Sequence, residues 1–134
     1  MTVRSKKAKT LSLKDAFETE FARRELERRA RDDAERQQQE ADLAGAEALL
    51  AAVTADGDFL ASRKLATDLR RYTVSLDHDN YRIAAYFEGG KVSVTLSDKR
   101  GTAAGSAAPR KQEIVESVED ALAVMAQYLA DETR

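Results

Sequence analysis

Cysteine is absent from this chain of 134 residues, and histidine and proline each occur once. The lack of cysteine excludes disulfides, thiolate nucleophiles and thiolate metal ligands. The one histidine, His78, lies in an Asp-His-Asp-Asn run typical of a turn, so the sequence offers neither a nucleophile–base pair nor a full set of metal ligands. Glycine-rich phosphate-binding motifs are missing as well. We therefore expect a protein that is not an enzyme and that needs no cofactor.

Long apolar runs are also missing. No stretch approaches the roughly 20 apolar residues that cross a bilayer, and the N-terminus has no apolar segment of the kind found in secretory signals. The sequence thus predicts a cytoplasmic protein without membrane contact. Aromatic residues make up only 6% of the chain, against 34% for charged ones. Because material for a core is scarce, we expect a small folded domain in the second half of the chain.

Large apolar residues are nearly absent from residues 23–40, where Leu26 is the only one. Arginine, glutamate, glutamine and alanine dominate this section, which favours a helix. Opposite charges four residues apart reinforce the prediction, each pair contributing about 0.2–0.5 kcal/mol. These pairs are Glu20/Arg24, Glu25/Arg29, Glu27/Arg31, Arg28/Asp32, Arg29/Asp33, Arg31/Glu35 and Asp32/Arg36. A helix of this composition cannot bury a face in a core, so we interpret it as an arm or spacer.

The charged section belongs to a longer helical arm predicted over residues 13–55. Ser12 followed by Asp15 is a capping box that marks its start, while Gly45 is a weak point where the pattern allows a bend or a change of packing. Residues 1–12 contain four basic side chains and no acidic one, and we expect a disordered basic tail there. The end of the arm carries a face with the spacing of a helix packed on a core, formed by Leu43, Ala46, Leu50 and Val53.

The start of the arm carries an apolar stripe of Leu13, Phe17 and Phe21, spaced four residues apart; we call it the anchor stripe. Three interpretations are open. The stripe folds back on the domain, forms the seam of a homodimer, or fills the hydrophobic groove of a partner protein, as apolar anchors at such positions do.

The remainder of the chain, residues 56–134, reads as a small α+β domain. A turn at residues 55–58 precedes a helix from Phe59 to about Leu69 or Arg70. One side of that helix is basic, which is typical of a solvated face but also suits contact with phosphates or an acidic partner. The residues on it are Arg63, Lys64, Arg70 and Arg71.

Three segments with alternating apolar residues then predict an antiparallel sheet: residues 72–76, 81–88 and 92–97. Gly89-Gly90 predicts a two-residue hairpin turn. Residues 98–109 have the composition of a flexible loop, and residues 112–116 could add a short edge strand. Ser117 and Asp120 form a second capping box, which opens a helix that covers the sheet. Its apolar face is formed by Val118, Ala121, Leu122, Met125 and Leu129.

The predicted fold class is therefore α+β, with a long N-terminal charged helix followed by a small helix, three-stranded antiparallel sheet, helix domain. This order resembles that of double-stranded RNA-binding domains in topology alone. That family meets phosphates with lysines at the start of its last helix, whereas this helix opens with Glu116, Glu119 and Asp120.

The sequence supports two functions. The first is a non-enzymatic adaptor or assembly subunit that docks a partner protein, or a second copy, through Leu13, Phe17 and Phe21. The alternative is a nucleic-acid-associated protein, because basic side chains bind phosphates. Its candidate contacts are Lys6, Lys7, Lys9, Arg63, Lys64, Arg70 and Arg71.

Overall fold

A computed structural model describes residues 12–100 and 108–133. The chain divides into two compact units, Met1–Gln37 and Gln38–Arg134. The fold is α+β with a long N-terminal helix, as predicted. No helix among the described residues is long and apolar enough to cross a membrane. The elements are, in chain order, α1 Leu13–Thr54, α2 Gly57–Ser62, β1 Ala66–Arg70, β2 Thr73–Asp77, β3 Tyr81–Glu88, β4 Lys91–Asp98, β5 Ala108–Val115 and α3 Val118–Thr133.

Both predicted capping boxes place a serine at the start of a helix. The Ser12 hydroxyl accepts a hydrogen bond from the Asp15 backbone N–H at 3.3 Å, at the start of α1. The Ser117 hydroxyl does the same for Asp120 at 3.0 Å, at the start of α3. Each bond satisfies a backbone donor that the first turn of a helix leaves unpaired. Most of the predicted basic tail, residues 1–11, lies outside the described residues.

The described sheet has five strands rather than the predicted three. They are antiparallel and follow the order β1-β2-β3-β4-β5, so each strand pairs with its neighbours along the chain. Gly89 and Gly90 form the β3–β4 turn with φ of 61° and 82°. A two-residue hairpin turn with both φ angles positive is the predicted primed type.

The strand β1 replaces the second half of the predicted helix at residues 59–70. Leu65 and Leu69 are four residues apart, a spacing that places them on one face of a helix and equally on one face of a strand. The helix α2 stops after Ser62 because Lys64 adopts the left-handed conformation, with φ of 61°. The Lys64 N–H bonds to the Ala61 carbonyl and the Leu65 N–H to the Leu60 carbonyl, which is the Schellman stop. Glycine usually signals this stop, and here lysine occupies the position.

The strand β5 extends the suggested edge strand at residues 112–116 back to Ala108, and so takes in the end of the predicted loop. Proline is tolerated in β5 because Pro109 lies in a strand that pairs on one side only, with β4. A register shift between Leu96 and Ser97 accommodates the pairing. With two additional strands, the resemblance to double-stranded RNA-binding domains does not extend to the sheet.

The core of the second unit lies between one face of the sheet and the end of α1 together with α3. As predicted, alternate residues of β3 and β4 are buried, including Ile83, Ala85, Val94 and Leu96. The buried face of α1 is shifted from the predicted one. Ala46 and Val53 are buried, but Leu49 takes the centre while Leu43 is exposed and Leu50 is only partly buried.

The buried face of α3 is shifted in the same way. Ala121, Met125 and Leu129 are buried as predicted, whereas Leu122 is exposed. Val124 and Tyr128, which were not predicted, complete the face. In both helices the sequence contains more apolar residues than one face can bury. The position of the sheet therefore determines which of them are buried.

Gly45 is a close-packing position rather than a bend, since α1 continues through it to Thr54. A Cβ atom at this position would lie 2.9 Å from Cε2 of the Phe87 ring. Such a distance is shorter than carbon atoms tolerate, so only glycine lets the ring approach the helix without rearrangement.

Asp42 is a buried carboxylate that joins α1 to the β3–β4 turn. Its Oδ2 accepts the Gly89 N–H at 2.8 Å, and its Oδ1 accepts the Gly90 N–H at 3.0 Å. The Gln38 side-chain amide adds a third bond to Oδ1, also at 3.0 Å. A buried carboxylate is tolerated because its lone pairs are satisfied in this way.

Candidate functional site

The anchor stripe lies in the first unit and is exposed. Leu13, Phe17 and Phe21 leave 87%, 60% and 53% of their surface accessible. The rings of Phe17 and Phe21 stack, with centroids 5.6 Å apart and planes inclined by 26°. This contact restricts the rings before any partner binds, which reduces the entropy that binding would cost.

Ion pairs border the anchor stripe on both sides. At about 100° per residue, Lys14 and Glu18 lie on one side of the stripe, and Glu20 and Arg24 lie on the other. Lys14 Nζ is 2.9 Å from a Glu18 carboxylate oxygen, and Arg24 Nε is 2.8 Å from a Glu20 oxygen. The stripe is therefore an apolar strip with a charged rim, the usual anatomy of a docking surface.

Glu20 is the most strongly perturbed of these charged groups. Hydrogen bonds from Arg23 and then Arg24 lower the pKa of Glu20 to about 2. Its carboxylate is thus ionised at any pH at which the protein works. Of the seven predicted pairs four residues apart, Glu20/Arg24 and Arg28/Asp32 form. Elsewhere arginines also pair with acids three residues away, as Arg36 does with Asp33.

The predicted phosphate contacts that lie among the described residues do not form one surface. Lys6, Lys7 and Lys9 lie outside the described residues. Arg63 and Lys64 follow α2, whereas Arg70 and Arg71 lie at the far end of β1. Five strand residues span roughly 17 Å, so the prediction that these four residues share one side of a helix is wrong.

Arg63 and Lys64 instead line a polar pocket of about 330 Å³ in the second unit. We call it the basic pocket. Three parts of the chain contribute side chains to it: the connection between α2 and β1, the turns at the same end of the sheet, and the end of α3. Its main polar residues are Arg63, Lys64, His78, Asn80, Arg100 and Glu132.

Glu132 holds one wall of the basic pocket in place. Its side chain is only 7% exposed, and its carboxylate lies 3.3 Å from Arg100 Nη2 and 2.9 Å from Arg110 Nη1. Arg100 also donates to Asp98, with its Nε 3.1 Å from Oδ1. The Arg100 N–H and side chain lower the pKa of Asp98 below its ordinary value. Arg100 is therefore fixed by two carboxylates.

His78 and Tyr81 form a second rigid wall. The two rings stack with centroids 4.6 Å apart and planes 8° from parallel. His78 Nδ1 accepts the Asn80 N–H at 3.0 Å, which assigns the proton of a neutral ring to Nε2. Burial, and then the charge of Glu132, raise the pKa of Tyr81 above its ordinary value, so its hydroxyl stays protonated.

An apolar groove of about 270 Å³ lies between α3 and the segment where α1 is followed by α2. Phe59 and Leu122 are partly exposed in it, and Leu60, Met125 and Leu129 are buried beneath them. The groove explains why Leu122 is not covered by the sheet. The apolar side chains that line the groove do not indicate which molecule would bind there.

The described ranges contain no cluster of side chains suited to a metal ion. No group of three or more histidine, aspartate or glutamate side chains there could hold a metal ion. Asp77 is a carboxylate that contacts two cations, 2.5 Å from Arg82 Nε and 3.4 Å from Lys99 Nζ. Burial opposes ionisation of Asp77, but Arg82 and Lys99 together lower its pKa. These contacts are those of a structural ion pair.

The sequence did not reveal that Arg100, Arg110 and Glu132 meet. Arg100 follows β4, Arg110 lies on β5 and Glu132 lies at the end of α3, and no local spacing signals a contact that the sheet pairing creates. Arg63 and Lys64 were singled out by charge alone.

A comparison of the chain with protein-family models, curated proteins and solved structures found no match.

Proposed function

We propose that the protein is a non-enzymatic adaptor or assembly subunit that docks a partner protein through the anchor stripe. One observation carries the proposal: Leu13, Phe17 and Phe21 form an exposed apolar strip at the start of α1, next to the charged section at residues 23–40. Soluble surfaces rarely retain two stacked phenylalanines unless another molecule covers them.

The size of the stripe favours a groove on a helix-binding partner. Eight residues separate Leu13 from Phe21, which is about 12 Å along the helix axis. Full burial of such side chains contributes about 1.5–3 kcal/mol each, before the cost of association is subtracted. Three anchors therefore support a modest affinity, which suits a transient contact or one arm of a larger assembly.

The charged rim of the stripe confers selectivity. The Lys14–Glu18 and Glu20–Arg24 pairs present both signs of charge beside the apolar anchors. A partner groove must match this pattern, because unpaired like charges at its rim oppose docking.

Affinity purification tests the proposal with a matched control on the same helix. Leu26 is 67% exposed and lies about 140° around the helix from Phe21, outside the stripe. We expect the double variant Phe17→Ala/Phe21→Ala to lose a partner that both the wild-type protein and Leu26→Ala retain. The melting temperature of the double variant should match that of the wild type.

Two outcomes would contradict docking. One is a large fall in the melting temperature of the double variant, which would mean that the rings stabilise the fold. The other is equal loss of the partner in Leu26→Ala, which would mean that any exposed apolar residue acts alike. Sedimentation of the purified protein separates a second copy from a different partner, since only self-association raises the mass of the pure chain.

Nucleic-acid association remains a second proposal, weakened by the separation of Arg63 and Lys64 from Arg70 and Arg71. It requires binding that falls steeply with salt, because each neutralised phosphate releases counterions. The absence of any gel shift with DNA or RNA at low salt would exclude it.

A further inference from the structure

We propose that the basic pocket binds the phosphate group of a small phosphorylated molecule. The pocket uses residues distinct from the anchor stripe, so this inference stands or falls independently of partner docking. It rests on three features of the pocket: its charge balance, the conformation of Lys64 and the rigidity of its walls.

The charge balance of the basic pocket is positive. Arg63, Lys64 and Arg100 line it together with a single carboxylate, that of Glu132. Arg100 is matched by Glu132 and Asp98. Neither Arg63 nor Lys64 forms an ion pair with any residue in the described part of the chain. Two cations without an ion-pair partner among the described residues thus lie at one concave site, and concave sites focus such a field.

Lys64 occupies a backbone position that normally belongs to glycine. Its φ of 61° is left-handed, a conformation that strains any residue with a Cβ atom. The Schellman stop at this point would form more readily with glycine. Arg71 is also left-handed, with φ of 55°, but it lies outside the pocket, whereas Lys64 lines it; strained positions of this kind cluster at functional sites.

The donors of the pocket are held before any ligand arrives. Glu132 orients Arg100, and the guanidinium of Arg63 lies 5.7 Å from the centre of the Phe59 ring. The His78 ring is fixed by its stacking on Tyr81 and by the hydrogen bond from Asn80 to Nδ1. Because Nδ1 accepts that hydrogen bond, Nε2–H is the donor that the ring offers. Guanidinium groups, an ammonium group and an imidazole N–H are the donors that phosphate oxygens accept best.

The dimensions of the pocket favour a small ligand over a polymer. A volume of about 330 Å³ lies at the lower end of the range for small-molecule sites. The other predicted basic residues, Arg70 and Arg71, lie at the far end of β1 and do not extend the pocket into a track for a nucleic-acid backbone.

Amide NMR with inorganic phosphate as the probe tests the proposal on the full chain. At constant ionic strength, phosphate should shift the amide signals of residues 62–64 and 78–81 saturably, and chloride should not. Arg63→Gln should weaken phosphate binding at least fivefold. Arg70→Gln, an exposed arginine outside the pocket, is the matched control and should leave the affinity within twofold.

Lys64→Gly gives the sharpest result because it cannot fail by unfolding. Relief of the left-handed strain should raise the melting temperature by about 2–5 °C, while phosphate binding falls at least fivefold. If Lys64→Gly is more stable than the wild type but binds less phosphate, the Lys64 side chain serves ligand binding rather than the stability of the fold.

Further titrations with phosphoserine and with a short single-stranded DNA distinguish the sources of the phosphate. The proposal predicts that phosphoserine competes with inorganic phosphate at the same amides, and that DNA does not bind more tightly than either. It is overturned if phosphate causes no saturable shift, if Lys64→Gly retains full affinity, or if DNA alone binds.

Discussion

Residues 13–37 and residues 38–133 are stabilised by different kinds of interaction. In the first unit every described ion pair joins residues three or four apart, while Phe17 and Phe21 stay exposed. In the second unit Asp42 bonds to backbone groups 47 and 48 residues further along the chain. Most of its large apolar residues are buried, and Leu49 and Ile83 are fully so.

The two units differ in what their apolar residues contact. The second unit buries most of its apolar residues in its own core, although Phe59, Ile114 and Leu122 stay exposed. The first unit relies on helix propensity and local charge pairs, which leaves its apolar side chains available to another molecule. The experiments below test whether the two units differ in this way.

The largest effect that we expect is a difference in the free energy of unfolding between substitutions at Leu49 and Leu26, two leucines of α1. Leu49→Ala should lower the free energy of unfolding by about 3 kcal/mol, because it leaves a cavity in a filled core. Leu26→Ala should change it by no more than about 0.5 kcal/mol, because Leu26 is exposed. Urea denaturation measures both values. Similar losses for the two variants would break the contrast between the units.

Asp42→Ala should cost about 2 kcal/mol, since it removes a charged acceptor from the Gly89 and Gly90 N–H groups. Asp33→Ala, which removes an exposed partner of Arg36, is the control and should cost less than about 0.5 kcal/mol. Urea denaturation again provides the readout. An Asp42→Ala variant as stable as the wild type would show that the turn does not need its helix partner.

Gly45→Val should destabilise the protein by about 1–2 kcal/mol even though valine has the higher helix propensity. The added side chain would collide with the ring of Phe87. Ala44→Val at the adjacent exposed position measures the effect of a branched side chain without that collision. Greater stability for Gly45→Val than for the wild type would mean that the ring moves freely aside.

The smallest effect is on the pH behaviour of Glu20. Because its pKa is lowered from 4.5 to about 2, its ion pairs stabilise the helix fully above about pH 4.5 and are lost as the pH falls towards 2. Arg23→Gln should move the pKa of Glu20 back towards 4.5. NMR titration of the side-chain carboxyl carbon measures it, and an unchanged pKa would show that Arg24 alone causes the shift.

Local signals in the sequence were sufficient for some elements. The capping serines, the Gly89-Gly90 turn and the alternation in β3 and β4 each depend on residues a few positions apart. The start of α1 and the central strands were therefore predicted correctly. The same signals could not distinguish helix from strand at Leu65 and Leu69, so β1 was missed.

Features created by long-range contacts were not accessible from the sequence. The choice of Leu49 over Leu43, the close approach at Gly45 and the role of Asp42 all depend on where the sheet lies. The basic pocket is a similar case. Arg63 and Lys64 were identified as candidate phosphate contacts, but their neighbours Arg100 and Glu132 come from the turn after β4 and from α3.

Photo-crosslinking from the anchor stripe tests the central claim most directly. Benzoylphenylalanine replaces Phe17 in one variant and Leu26 in a matched one, and adducts are measured by mass after irradiation in cells. The account predicts a discrete adduct from position 17 and none from position 26, which faces away from the stripe. No adduct from position 17, or the same adducts from both positions, would contradict it.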